Sequence, residues 1–282
     1  MSLTYAPNHR EIERLPADPN SYVILTKNVA TTAVVFVHGF TGKARETWGF
    51  SDDNRRAWQG FEEGATQSTD FKNVDLFFFG YDGFLSNTLA ATSFLYSLLS
   101  GLGSDPVPLL GTLADKTDKD NRANGYQRII VVAHSLGAVV SRWALVRAAE
   151  EQAPWANRIR YLLFAPAHRG SDLERLASEG FSGLSWLKPL MEGLKAGAPL
   201  IRELDRDSPV LRELESRTRK LLPQNQFLKA SRVVIAEREV VVNNWIFADD
   251  PFPHALRGTT HESVCKPSSI QPEPLQILKE LL

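Results

Sequence analysis

The sequence predicts an α/β protein built on a doubly wound, mostly parallel sheet flanked by helices. Three observations carry that expectation. First, five short runs are almost continuously apolar and rich in β-branched and aromatic residues: Ala33–Val37, Val74–Gly80, Ile129–Ala133, Arg160–Ala165 and Arg232–Ala236. Runs of that length without polar alternation suit strands buried on both faces, as in a parallel sheet. Second, helical stretches lie between them. Leu89–Leu102 is one, and Leu136–Glu151 is another, with Leu136, Val139, Val140 and Trp143 at helical spacing. Third, strand and helix alternate, the mark of βαβ units. No internal repeat or low-complexity tract is visible.

Two stretches break the alternation. Thr112–Gln127 is polar and charged, with a turn signal at Asn124-Gly125. It leads into a strand, which puts it at the edge of the sheet away from the usual ligand edge, and a solvated loop is expected there. Asp172–Lys229 is a long insertion between two strands. Leu187–Leu194 and Leu200–Leu222 look helical and amphipathic, punctuated by Pro189, Pro199, Pro209 and Pro223. Leu184, Trp186, Leu187, Leu190 and Leu194 form an apolar stripe that suits either a cap over a site or a packed flank. Residues 1–282 are expected to form a single domain with residues 172–229 as a helical insertion. A chain of 282 residues can bury roughly three quarters of its unfolded surface without metal or disulfide support.

Composition excludes several classes of function. Lys and Arg total 32 against 33 Asp and Glu, a net charge of −1, whereas nucleic-acid binders usually carry a basic excess. Apolar residues make up 43% and charged residues 23%, as in folded soluble proteins. The single cysteine, Cys265, allows no internal disulfide and no cysteine-rich zinc site. No HExxH, no Cys/His cluster and no glycine-rich phosphate loop is present, so neither metal nor cofactor is expected. The first residues, MSLTYAPNHREIERL, lack an apolar signal core, and no run approaches about 18 apolar residues. A soluble, cytoplasmic protein without a transmembrane segment is the expectation.

The chemistry centres on Ile129–Gly137, IIVVAHSLG. A buried strand ends at Ala133 and a helix begins just after Ser135. A serine on such a sharp strand-to-helix turn has its hydroxyl pushed out above the sheet, with a helix N-terminus behind it. The residues two before and two after must be small, because strand and helix cross closely there. Gly137 fits, and Ala133 stands where glycine is commoner. Serine also serves as an ordinary helix cap, but the strand before and amphipathic helix after favour the nucleophile. The second piece is Ala33–Gly42, AVVFVHGFTG. Acyl transfer needs two backbone N–H donors for the tetrahedral oxyanion, one just after the nucleophile and one from an early strand-to-helix loop. Leu136 is placed for the first and Phe40 for the second.

VVFVHGF followed about a hundred residues later by VVAHSLG resembles the α/β-hydrolase superfamily. GTTHESVCKP at Gly258–Pro267 and APAHRGSD at Ala165–Asp172 resemble its lipase-like branch, which includes serine-active-site-containing proteins and the inositol deacylases of glycosylphosphatidylinositol anchors. The resemblance runs from about Val34 to the C-terminus, strong in the short motifs and weak across the insertion. It implies an α/β-hydrolase fold, Ser135 as nucleophile, the Phe40 and Leu136 N–H groups as oxyanion hole, and His261 as base.

Chain order supports that base, since this fold runs serine, acid, histidine. His9, His38 and His134 precede or adjoin the serine; His38 is expected to order its own loop and His134 to pack beside the elbow. His168 precedes any late acid and suits a loop or site lining. His254 is flanked by Pro253 and a short strand, Ala255–Arg257, whereas His261 follows Gly258-Thr259-Thr260, a flexible loop able to reach Ser135. The acid should follow the strand Arg232–Ala236. Superfamily spacing from Ala236 favours Glu239, with Glu237, Asp249 and Asp250 as rivals and Asp172 behind them. Asp82 reads as loop structure. Together these predict a serine hydrolase of carboxylic esters, esterase- or lipase-like, acting through an acyl-enzyme on a small-molecule or lipid ester. An inactive hydrolase-fold interaction module and an acyltransferase are the alternatives. The insertion and the loop after Phe40, with Trp48 and Trp58, are expected to shape the acyl and alcohol pockets.

Overall fold

The computed structural model describes residues 8–39, 42–49, 59–82, 88–115, 122, 124–170, 203, 208–242 and 246–282. Its centre is an eight-stranded sheet: β1 Glu13–Leu15, β2 Asp18–Ile24, β3 Thr32–Val37, β4 Val74–Phe79, β5 Arg128–His134, β6 Ile159–Phe164, β7 Arg232–Arg238 and β8 His254–Thr260. The order across the sheet is β1-β2-β4-β3-β5-β6-β7-β8. β3 to β8 and β4 run parallel, while β1 and β2 are antiparallel at one edge. All five apolar runs are strands of this sheet. β3 and β4 are buried at every residue, which is why their side chains do not alternate. Val35 of β3 stands between Phe77 of β4 and Val131 of β5.

Among the described residues the helices are α1 Gly60–Thr66, α2 Thr88–Ser104, α3 Val107–Leu110, α4 Leu136–Glu150, α5 Pro209–Leu221 and α6 Glu273–Lys279. α4 packs against α2 and against α5. α5 lies in the described part of the expected insertion. Ser208 caps it, its hydroxyl accepting from the Leu211 N–H at 3.2 Å. Leu211, Leu214 and Thr218, three and four residues apart, are its buried face. The stripe from Leu184 to Leu194 lies outside the described residues.

Two expectations need correcting. Trp48 does not line a pocket; it is 1% exposed, with Phe36 at 5.0 Å and Phe61 at 6.0 Å between ring centroids. Trp58 lies outside the described residues. Nor is Thr112–Gln127 simply solvated. Arg122 and Tyr126 are buried against Asp75 of β4, with Arg122 Nε at 2.8 Å and the Tyr126 hydroxyl at 2.6 Å from Oδ2. The Thr26 N–H donates to Oδ1 at 2.7 Å. A carboxylate can stand in the core only with such partners, and they come from this stretch and from the end of the β2 hairpin.

Candidate active site

The C-terminal ends of the parallel strands face one edge, and the site is assembled there. β5 delivers Ser135. Its backbone has φ 53° and ψ −122°, a conformation that costs a non-glycine residue about 1–3 kcal/mol. Neighbouring strands hold it there. The Ser135 N–H donates to the Phe164 carbonyl at 3.1 Å, and its own carbonyl accepts from Ala138 N at 3.0 Å and Ala167 N at 3.2 Å. Close crossing of β3 and α4 explains Gly137: a Cβ there would stand 2.2 Å from the Val37 carbonyl oxygen. Ala133, in the strand before, is fully buried. Leu136 opens α4, so its N–H is one of the first-turn donors without a partner inside the helix. Phe40 lies outside the described residues.

β8 delivers His261. Gly258, Thr259 and Thr260 are the last residues of that strand, not a flexible loop, and Thr260 pairs with Arg238 of β7. His261 Nε2 lies 3.1 Å from Ser135 Oγ. Nδ1 lies 3.0 and 3.1 Å from the two carboxylate oxygens of Glu239. Glu239 follows the last residue of β7, and its side chain is 1% exposed. Its Oε1 also accepts from the N–H groups of Val241 at 2.9 Å and Val242 at 3.2 Å. The rival acids are engaged elsewhere. Exposed Glu237 accepts from the Gly258 N–H at 2.9 Å. Asp250 pairs with buried Arg142 at 2.5 Å and accepts from Ala230 N at 2.8 Å. Asp249 is 68% exposed, 4.0 Å from Arg219. Asp172 lies outside the described residues.

The other histidines are placed away from this relay or behind it. His254 is exposed at the start of β8, about 20 Å of extended strand from its end. His168 is buried, its Nε2 donating to the Ala138 carbonyl at 2.9 Å. His38 Nδ1 donates to the Gly39 carbonyl at 2.7 Å, and its Nε2 accepts from the Tyr81 N–H at 3.2 Å. Tyr81 was not legible as a site-edge residue. Its ring stacks on His38 at 4.3 Å, and its hydroxyl donates to the His38 carbonyl at 2.8 Å. An aromatic just past the end of β4, next to exposed Asp82, was the available signal.

No protein-family model matches the chain, and no curated protein is significantly similar to it. Solved structures are similar in fold. A lipase from Bacillus licheniformis in its mature form superposes with a TM-score of 0.55 at 16% identity, covering 90% of this chain and 93% of that one. A peroxisomal α/β-hydrolase from Saccharomyces cerevisiae gives 0.51 at 10% identity, over 98% and 88%. The chain has the α/β-hydrolase fold. A thermostable esterase from Pseudomonas putida gives 0.50 at 13% identity, over 97% of this chain and 79% of that one. Among the described residues, no helix of this hydrolase fold is long and apolar enough to cross a membrane.

The relay has a definite proton arrangement. A carboxylate only accepts, so the proton between Glu239 and His261 sits on Nδ1. Nε2 is then bare and accepts from the Ser135 hydroxyl. That is the tautomer a general base needs. Cys265, four residues on, takes no part in it. It is fully buried, its Sγ donates to the Thr47 carbonyl at 3.4 Å, and burial pushes its pKa up to about 12. Cys265→Ala is therefore expected to cost about 1–2 kcal/mol of stability and to leave turnover within twofold of the parent. A well-folded but inactive alanine variant would contradict this.

Buried histidines make stability depend on pH on the acid side. Desolvation holds His9 below its ordinary 6.5, brings His38 down to about 4 and holds His134 and His168 well below 6.5. The unfolded chain takes up protons at these rings as pH falls through 6.5, while the folded chain resists. Stability is thus complete above that pH and falls from there toward pH 4. Each histidine held neutral contributes about 1.4 kcal/mol per pH unit to the slope. Denaturant unfolding at about pH 7, 6 and 5 checks this, and equal stability at all three would contradict it.

Proposed function

We propose that the protein is a serine hydrolase that cleaves carboxylic esters. The observation that carries the reading is the continuous hydrogen-bonded line from Glu239 through His261 to Ser135, at the strand edge where the fold gathers its loops. Ser135 attacks the acyl carbon while His261 Nε2 takes its proton. The tetrahedral oxyanion is held by the N–H groups of Leu136 and Phe40. His261 returns the proton to the leaving alcohol, and the acyl group stays on Ser135. Water, deprotonated by the same nitrogen, then releases the acid. Glu239 keeps the imidazole in the accepting tautomer and stabilises the imidazolium that forms. No step calls for a cofactor or metal. The motifs at Gly258–Pro267 and Ala165–Asp172 favour the lipase-like branch, with a small or lipid ester as substrate and the cytoplasm as the setting.

A panel of p-nitrophenyl esters of increasing acyl length tests the reading. Hydrolysis of at least the short esters, with a burst of about one p-nitrophenol per chain where deacylation is slow, is expected. No turnover of any ester would contradict it. Product transfer to added alcohol in preference to water would assign the protein to acyl transfer instead.

A further inference from the structure

His134 stands one residue before Ser135 and is 7% exposed. Its Nε2 lies 2.9 Å from the backbone carbonyl oxygen of His261. A carbonyl only accepts, so the proton is on Nε2. Burial first, and the His261 ring second, hold the His134 pKa well below 6.5. The ring is therefore neutral and its Nδ1 bare. That Nδ1 is buried without a hydrogen-bond partner and faces Gly39, where a Cβ would come within 3.3 Å of it. The ring is thus wedged between the β3 loop and His261, with 4.9 Å between the two imidazole centroids. His261 directly follows β8, an edge strand of the sheet, whereas β5 lies inside it. The His134 bond ties the backbone of the outer element to the inner one.

We infer that His134 is a positioning residue whose Nε2–H fixes the His261 backbone and thereby the aim of His261 Nε2 at Ser135. The inference rests on the reading of Ser135 and His261 given above. Glutamine can place an N–H donor where Nε2 stands; leucine fills similar space and donates nothing.

The test compares parent, His134→Gln and His134→Leu for kcat and KM on p-nitrophenyl acetate, and for the rate of labelling by a fluorophosphonate, with Tm as the control for folding. His134→Leu is expected to lower kcat and labelling on the order of 10- to 100-fold, since small misplacements of a catalytic group cost that much. KM should stay within twofold, and His134→Gln should recover most of the loss. A leucine variant within threefold of the parent, or a glutamine variant no better than leucine at equal Tm, would overturn the inference. Should the leucine variant fail to fold, imidazole nitrogen spectra of the parent decide. A neutral ring protonated on Nε2, assigned by its absence in His134→Gln, is expected, and a proton on Nδ1 would overturn the inference. If the parent takes up no phosphonate at Ser135, the underlying reading fails instead, so the two failures are distinct.

Discussion

Replacing Ser135 by alanine is expected to lower ester turnover by about a millionfold while the protein stays folded. The size follows from what the side chain does in the proposed mechanism. Without Oγ no acyl-enzyme can form, and the remaining N–H donors and binding contacts can help only an unactivated water. Folding should survive because Ser135 contributes mainly backbone hydrogen bonds to the structure, through its N–H and its carbonyl. Alanine keeps both and meets the same positive φ that serine already tolerates. Rates on a short ester, beside the circular-dichroism melt of the same sample, check both halves. Activity within tenfold of the parent would remove Ser135 from the mechanism.

Glu239→Gln is expected to lower turnover by hundreds-fold or more, up to about ten-thousandfold, the loss that a wrong imidazole tautomer causes in related triads. Oε1 of Glu239 already accepts from two backbone N–H groups. A glutamine would keep its carbonyl oxygen on those donors, 3.0 Å from His261 Nδ1, and would bring its amide nitrogen to the position now 3.1 Å from the same atom. An N–H facing Nδ1 favours the tautomer protonated on Nε2, which cannot accept the serine proton. Glu237→Gln should be nearly silent, because Glu237 is exposed and accepts from a strand amide, that of Gly258. Turnover of the two variants, measured side by side, separates these outcomes. Equal losses would contradict the assignment.

The parallel core was legible because its strands are buried on both faces, so apolar continuity marks them without reference to distant residues. The β1–β2 hairpin was not legible. Its strands, ERL and DPNSYVI, are short, partly exposed and rich in polar residues. β8 was read only as Ala255–Arg257 for a related reason: it is an outer strand with mostly exposed side chains and a glycine at φ +72° within it. Burial of Arg122 and Tyr126 depends on Asp75, some fifty residues earlier, and a polar stretch carries no local sign of such a partner. Motif, spacing and resemblance favoured Ser135, His261 and Glu239, and the structure brings these three side chains together. Periodicity could not separate Glu239 from Glu237, since both would share one face of a continuing strand. The register shift between Ala236 and Arg238, with β7 ending at Arg238, breaks that equivalence. Asp250 was a fair rival by position, but the buried Arg142 that claims it could not be found from sequence spacing.

The central claim is that Ser135 is the nucleophile, activated by His261. It is tested most directly by treating the protein with a fluorophosphonate and mapping the adduct by peptide mass spectrometry. The account predicts one adduct per chain, on Ser135, formed at least a hundredfold more slowly in His261→Ala, on the order expected for loss of general-base help. An adduct on another residue, or no adduct on a folded protein, would contradict it.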